Sequence, residues 1–294
     1  MSINPGFSRR TFLGTLPLLA ATSRLFAATP GQIFPGCQTN AWKIDRHDFS
    51  SFLNVLEQIK GFQFAGFETG FGNLIGQFAN PDARRQIESF GLRFSGIHIF
   101  LPTYDPRTHI APATIYQRVV EGGAALGAER LVLSGGPVST DGIIDKAALQ
   151  RKTQAITDAA KYAQSHGLKF AYHNETPESL NDGLELRALL HETDPSLVSF
   201  LVDIGHADQA GINVQAFFRK YHKRIIGMHL RDYRNRQEVP LGEGTFDLAG
   251  LAKTVEATGW SGWAISEEDY PSGYKPGSAA IKVARESIRK AFHV

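Results

Sequence analysis

Cysteine is nearly absent from this chain: Cys37 is the single one in 294 residues. No intrachain disulfide can form, so the fold must rest on its buried core. An excess of charge of one sign is missing too. The formal net charge is +2, and no basic stripe is interleaved with aromatics, which argues against nucleic acid as a partner. No apolar run has the length of a bilayer span; the run at 16–21 is short, and Arg24 interrupts its far end. No Gly-x-Gly-x-x-Gly turn follows the first strand-like run, and neither a Gly-x-Ser-x-Gly elbow nor a phosphate-binding P-loop occurs. Dinucleotide binding on a doubly wound sheet and serine-nucleophile chemistry therefore lose their sequence support. Proline- and serine-rich linkers and short repeats are also missing, which predicts one domain.

What is present is an ordinary globular balance, 42% hydrophobic and 20% charged, with 29 glycines to serve many strand–loop–helix junctions. Near the N-terminus, Ser8-Arg9-Arg10-Thr11-Phe12-Leu13 resembles a twin-arginine export motif, followed by the apolar run and by small residues at Ala27 and Ala28. Residues 1–28 are thus expected to be a signal segment and the protein periplasmic, with no stable membrane insertion after export. An amphipathic N-terminal helix is the plainer alternative. Pro35-Gly36-Cys37 weakly resembles a lipoprotein acceptor, but Cys37 reads better as part of the first strand.

From residue 33 onward, short β-rich runs alternate with longer amphipathic ones. Strands are expected at 33–40, 62–68, 92–99, 130–134, 168–174, 197–204, 225–230 and 263–267. Helices are expected at 49–61, 81–90, 113–126, 146–166, 178–191, 214–221, 247–258 and 278–292. The strands lack long polar alternation, as expected of a parallel sheet covered on both faces. Repeated βα units of this length predict a single-domain α/β fold, a (β/α)₈ TIM barrel over 33–294.

In such a barrel the active site forms at the C-terminal ends of the strands. Ionisable residues recur there: Glu68, His98, His173 with Glu175, Asp203 with His206, His229 with Asp232, and Glu267 with Asp269. Buried carboxylates and imidazoles need compensation, and a shared divalent cation supplies it. His173 and Glu175 are two apart, which on a continuing strand points both to one face. Asp203 leaves an apolar strand directly and reads either as a ligand or as a helix N-cap. Glu267 follows Trp263 and Ile265 in a period of two, which makes it the inward member of the pair with Glu268. The loop Leu241-Gly242-Glu243-Gly244 is expected to be flexible and close to the site. Imidazole and carboxylate donors suit Mn²⁺, Mg²⁺, Co²⁺ or Zn²⁺.

These residues resemble a known group. The runs YHNE, LVDIGHA, MHLRD with VPLGEGTFD, and ISEED are similar to the sugar phosphate isomerase/epimerase family, whose fold is the xylose isomerase-like TIM barrel. The resemblance implies a divalent metal held by His173, Asp203, His229 and Glu267. It makes His206, Arg231 and His98 substrate-facing and Glu68 a further polar group of the pocket. Glu175 and Glu267 would be the leading bases, with His206 placing a substrate hydroxyl. One departure stands out: many members carry Glu where this chain has His173, so the carboxylate is either displaced to Glu175 or lost from the residues that touch the metal. The expected activity is isomerisation or epimerisation of a ketose, keto-sugar or polyol through proton abstraction next to a carbonyl held on the metal. Elimination from an oxidised sugar, as in a dehydratase or a 3-keto-glycoside lyase, is the first alternative, and a non-catalytic periplasmic sugar-binding barrel the second. An endonuclease of the same superfamily would need a basic surface that is missing here. The expected partner is a small sugar, and a homo-oligomer is compatible with the reading.

Overall fold

The computed structural model describes Met1, residues 31–269 and residues 277–294. The twin-arginine motif and its flanks lie outside the described residues. Eight parallel strands close into a barrel: β1 (Ile33–Gln38), β2 (Gly66–Gly70), β3 (Arg93–Ile99), β4 (Arg130–Ser134), β5 (Lys169–His173), β6 (Ser199–Asp203), β7 (Ile225–Leu230) and β8 (Gly262–Ser266). Every strand pairs with its neighbours in sequence, and β8 pairs with β1. The chain is therefore a single-domain (β/α)₈ TIM barrel, as its βα rhythm predicts. Among the described residues, no helix is long and apolar enough to cross a membrane.

The helices outside the barrel are α1 (Phe49–Gly61), α2 (Ala83–Glu88), α3 (Ala113–Leu126), α4 (Lys146–Ser165), α5 (Thr176–Glu192), α6 (Ile204–Gln209), α7 (Val214–Tyr221), α8 (Leu248–Thr258) and α9 (Gly277–Phe292). Their apolar stripes and the outward faces of the strands share one large core. Val132, Ala171, Leu201, Trp263 and Ile265 form a smaller cluster that fills the barrel interior. Gly66 permits this filling. A Cβ there would stand 2.7 Å from the Trp263 ring and 2.4 Å from the Arg93 carbonyl oxygen.

Several boundaries differ from the sequence expectation. The second strand starts at Gly66, because residues 62–65 turn the chain out of α1, with Gln63 at φ +63°. The strand also runs on to Gly70, so Glu68 sits inside it and not at its end. Helix α5 starts at Thr176 and carries non-helical backbone at Leu180, Asn181, Asp182 and Gly183. The short helix α6 and the two-stranded ribbon Asp232–Arg234 with Gln237–Val239 were not expected. The loop at 241–244 is not free either. Asp232 accepts backbone N–H bonds from Gly242 (3.0 Å), Gly244 (2.9 Å) and Phe246 (3.0 Å), while Glu268 accepts one from Leu241 (3.0 Å). Two buried carboxylates thus pin a loop whose glycines had suggested mobility.

A second buried polar cluster ties α4 to α5. The Lys152 ammonium, fully buried, donates to Glu185 at 2.8 Å, to the Gly136 carbonyl at 2.8 Å and to Glu178. Glu185 also accepts from the Val138 and Ser139 amides, and Tyr172 donates its hydroxyl to Glu178. Burial raises the Glu178 carboxyl above its ordinary range despite the Lys152 charge beside it. Lys152→Met would leave two carboxylates buried without a cation. It is expected to lower stability by about 3–5 kcal/mol, measured by urea unfolding. A loss below about 1 kcal/mol, the size of a solvated pair, would show that water reaches the cluster.

Candidate active site

The inward residues of a strand recur at every second position. Along β4 these are Arg130, Val132 and Ser134; along β5, Ala171 and His173; along β6, Leu201 and Asp203; along β7, Gly227 and His229. Strand register aligns the rows, with Ser134 opposite His173 and Asp203 opposite His229. The result is a ring of polar residues capping the barrel core, one from each strand: Gln38, Glu68, His98, Ser134, His173, Asp203, His229 and, just past β8, Glu267. All eight are buried. The sequence reading reached six of them and missed Gln38 and Ser134. Their signal was the same two-residue step after an inward small or apolar residue, without a charge to draw attention.

The ring is joined edge to edge. Gln38 donates to Glu68 at 3.0 Å, and His98 Nε2 meets the Ser134 hydroxyl at 2.9 Å. That hydroxyl lies 3.2 Å from His173 Nδ1 and donates to Glu175 at 3.0 Å. His173 Nε2 is 2.9 Å from His229 Nδ1. His229 Nδ1 is 2.5 Å from Glu267 Oε2, and its Nε2 is 3.0 Å from Glu68 Oε1. Neither of these last two contacts is aligned as a hydrogen bond. Glu68 Oε2, His229 Nε2 and Glu267 Oε2 are accordingly buried polar atoms without a hydrogen-bond partner among the described residues.

His173, Asp203, His229 and Glu267 each offer one donor atom, and these atoms lie within 4.8 Å of one another. Donors bound to one metal at about 2.0–2.2 Å stand no more than roughly 4.4 Å apart, so a shift of a few tenths of an ångström would let all four share an ion. Two imidazoles and two carboxylates suit Zn²⁺, Mn²⁺ or Co²⁺. One of the orphaned atoms, Glu267 Oε2, lies among these donors, which strengthens the fit because buried polar groups otherwise find partners.

Arg231 fixes the two carboxylates from outside. Its guanidinium reaches Asp203 Oδ2 at 3.0 Å and Glu267 Oε1 at 3.0 Å, and its remaining contacts go to Glu238 and Asp269 at 2.9 Å each. Arg231 is thus held by four carboxylates and orients two of the candidate donors, while its substrate-facing assignment is compatible with its place on the cavity wall. Gly205 allows this packing, since a Cβ there would stand 2.6 Å from Arg231 Cβ. Asp203 is the N-cap of α6 and also stands in the donor cluster. One of its oxygens caps α6 by accepting from the His206 amide at 2.8 Å, while the other faces Arg231 and the imidazoles. Asn40 donates to Glu267 Oε1 at 3.0 Å.

Burial alone would keep His229 neutral, but the charges of Glu267 and Glu68 outweigh it and hold its imidazole well above the ordinary value. Burial would raise Glu267, yet the Arg231 and His229 charges hold it well below the usual carboxylate range. His98 is pushed down to about 4 by burial and by His173 beside it. Its sequence assignment to substrate is compatible with its position on the cavity wall. Glu68 differs: this member of the ring is fully buried against His229 and does not line the cavity.

Glu175 begins α5, where it forms a capping box with Glu178. Its carboxylate lies 3.4 Å from His173 Nδ1 and 3.3 Å from His206 Nε2. Burial works against its ionisation, but hydrogen bonding to the two imidazoles prevails and holds it far below the ordinary range. His206 is desolvated too, yet the charge of Asp203 and the bond to Glu175 raise it to about 9. A carboxylate and an imidazolium therefore stand side by side at the rim of the donor cluster. They face a cavity of about 910 Å³ whose wall also includes Trp42, Phe71, Phe100 and Leu101. These wall residues lie on the loops after β1, β2 and β3. The sequence reading did not reach them, because loop aromatics carry no periodic signal.

A family profile described as "Xylose isomerase-like TIM barrel" matches residues 56–291. An inosose dehydratase of Lacticaseibacillus casei is 25% identical over 193 residues, 55% of this chain and 64% of that protein. The chain thus spans somewhat less than two thirds of the length of that relative. A sugar phosphate isomerase/epimerase from Parabacteroides distasonis has a TM-score of 0.68 at 18% identity, over 92% of this chain and 98% of the other. The IOLI protein with a bound zinc atom has a TM-score of 0.71 at 15% identity, over 88% and 98%. At such identities the structural likeness concerns the fold alone.

Proposed function

Because the chain belongs to the xylose isomerase-like TIM barrel family, we propose that it is a metal-dependent enzyme that moves a proton on a carbon beside a carbonyl of a sugar, keto-sugar or polyol. The observation that carries this reading is the convergence of His173, Asp203, His229 and Glu267 within 4.8 Å. A divalent ion held there would supply a Lewis acid for a carbonyl and its neighbouring hydroxyl. Glu175, held ionised at the cluster's rim, is the leading base for the carbon-bound proton. His206, held protonated beside it, donates a hydrogen bond to a substrate hydroxyl. Arg231 keeps two donors in place, and the closed ring of buried residues beneath keeps water from the barrel interior. Glu267, locked between Arg231 and His229, is the poorer base. Isomerisation or epimerisation is the favoured outcome.

Elimination of water is the second reading. It is supported by the relative named an inosose dehydratase and by His173 standing where a second carboxylate base would be needed for two-base epimerisation. The proposal includes export through the twin-arginine motif at residues 8–13.

The test is to strip the purified protein with a chelator and reload it with Mn²⁺, Mg²⁺, Co²⁺ or Zn²⁺ in turn. Keto-sugars and inososes are then followed by NMR in deuterium oxide. Metal-dependent deuterium uptake with the carbon skeleton intact is the expected result. Metal-dependent loss of water would move the assignment to a lyase. Neither reaction with any of these metals would overturn the enzyme reading.

A further inference from the structure

The cavity has two chemically different sides. The donor ring and the Glu175–His206 pair form the polar side, on β5 to β8. Across the mouth, the loops after β1, β2 and β3 present Trp42, Phe71, Phe100 and Leu101, with Lys43, Arg46 and Asn73 among them. Phe100 is 57% exposed. Few other large apolar side chains stand exposed among the described residues, namely Met1, Ile143 and Leu180, and none of those lines the cavity. An aromatic group left in water inside a polar cavity is informative, since a scattered surface leucine is not. Trp42 is also held ready: its Nε1 donates to Gln58 on α1 at 3.0 Å, so its ring is oriented before anything binds.

We propose that this wall is a platform for a second ring, and that the substrate is a glycoside in which the reacting sugar is joined through a glycosidic bond to another sugar or an aryl ring. The inference rests on the sugar-enzyme reading above and names the substrate class of that same site. Its first ground is size. Eight strands about 4.8 Å apart and tilted about 36° give a barrel roughly 15 Å across, and cavities that enclose a drug-sized ligand measure about 300–1,000 Å³. The volume here, about 910 Å³, lies at the top of that range and is much more than one sugar ring fills. Its second ground is chemistry. A lone sugar seated by its carbonyl and hydroxyls at the donor ring leaves the aromatic side wet. A second ring packed against Phe100, with Trp42 and Phe71 nearby on the cavity wall, would cover that apolar surface, in an offset or edge-on arrangement where it is aromatic.

The test uses the full chain, loaded with metal, and two matched pairs of probes: fructose against isomaltulose, and methyl glucoside against 4-nitrophenyl glucoside. Binding is measured by calorimetry, and saturation-transfer NMR reports which ring touches protein. The two-ring member of each pair is expected to bind about tenfold more tightly, with saturation on its second ring. Phe100→Ala is expected to remove that preference while leaving the one-ring probes within about twofold. Because Phe100 is exposed, the variant should fold as the parent does. Equal affinity within both pairs, or an equal loss for all probes in Phe100→Ala, would overturn the second-ring platform and leave the enzyme reading standing. Absence of binding by all four probes would overturn both.

Discussion

Asp203→Ala/Glu267→Ala is expected to leave the protein without metal after purification, where the parent retains about one Mn, Co, Zn or Mg per chain. Two of the four donors disappear, and with them both carboxylates that Arg231 orients. Losing an outer partner of a metal ligand costs about 10–100-fold in affinity or activity, so losing two donors should take activity below detection. The barrel should survive. Arg231 keeps Glu238 and Asp269, and the lost Asp203 cap on α6 costs about 1 kcal/mol. Elemental analysis beside a circular dichroism melt separates the two effects. Unchanged metal content in a folded variant would refute the assignment of these donors.

Glu175→Gln is expected to keep the metal and lose turnover. The substitution preserves shape, and the amide oxygen still accepts from Ser134, now at 3.0 Å from the carboxylate, but the group can no longer take a proton. General bases contribute about 10²–10⁴-fold, so kcat should fall by that factor with KM little changed. Deuterium exchange into the substrate should fall in parallel. Retained exchange would move the base role to Glu267, the cavity carboxylate that belongs to the donor cluster.

Much of this arrangement was legible in the chain. The β-rich runs ending in His173, Asp203, His229 and Glu267 exposed both the barrel and four members of its polar ring, because strand periodicity and charge at strand ends are local signals. Asp203 could be read as ligand or cap; the structure shows the cap on one oxygen and leaves the other facing Arg231 and the imidazoles, where the ligand reading would place it. Arg231 shows where the signal ended. Its place on the cavity wall fits a substrate-facing residue, but no local signal announced the four carboxylates that three-dimensional packing gathers around it from β6, the segment after β8 and neighbouring loops. Glu68 was placed at a strand end, while the strand runs on to Gly70 and leaves it inside, a ring member away from the cavity. Ser134 and Gln38 went unnoticed because a neutral polar residue at a strand end is common.

The sequence by itself determined the alternation of elements, their hydrophobic faces and the residue types carried to the strand ends, since these depend on neighbours a few positions apart. Only the tertiary structure decided which of those residues meet. Barrel closure pairs β8 with β1 and sets the register that puts Asp203 beside His229. The same closure gathers Trp42, Phe71 and Phe100 onto one wall from three separate loops. Contacts of that kind depend on how strands are tilted and staggered around the whole barrel, a property that no single stretch of chain contains.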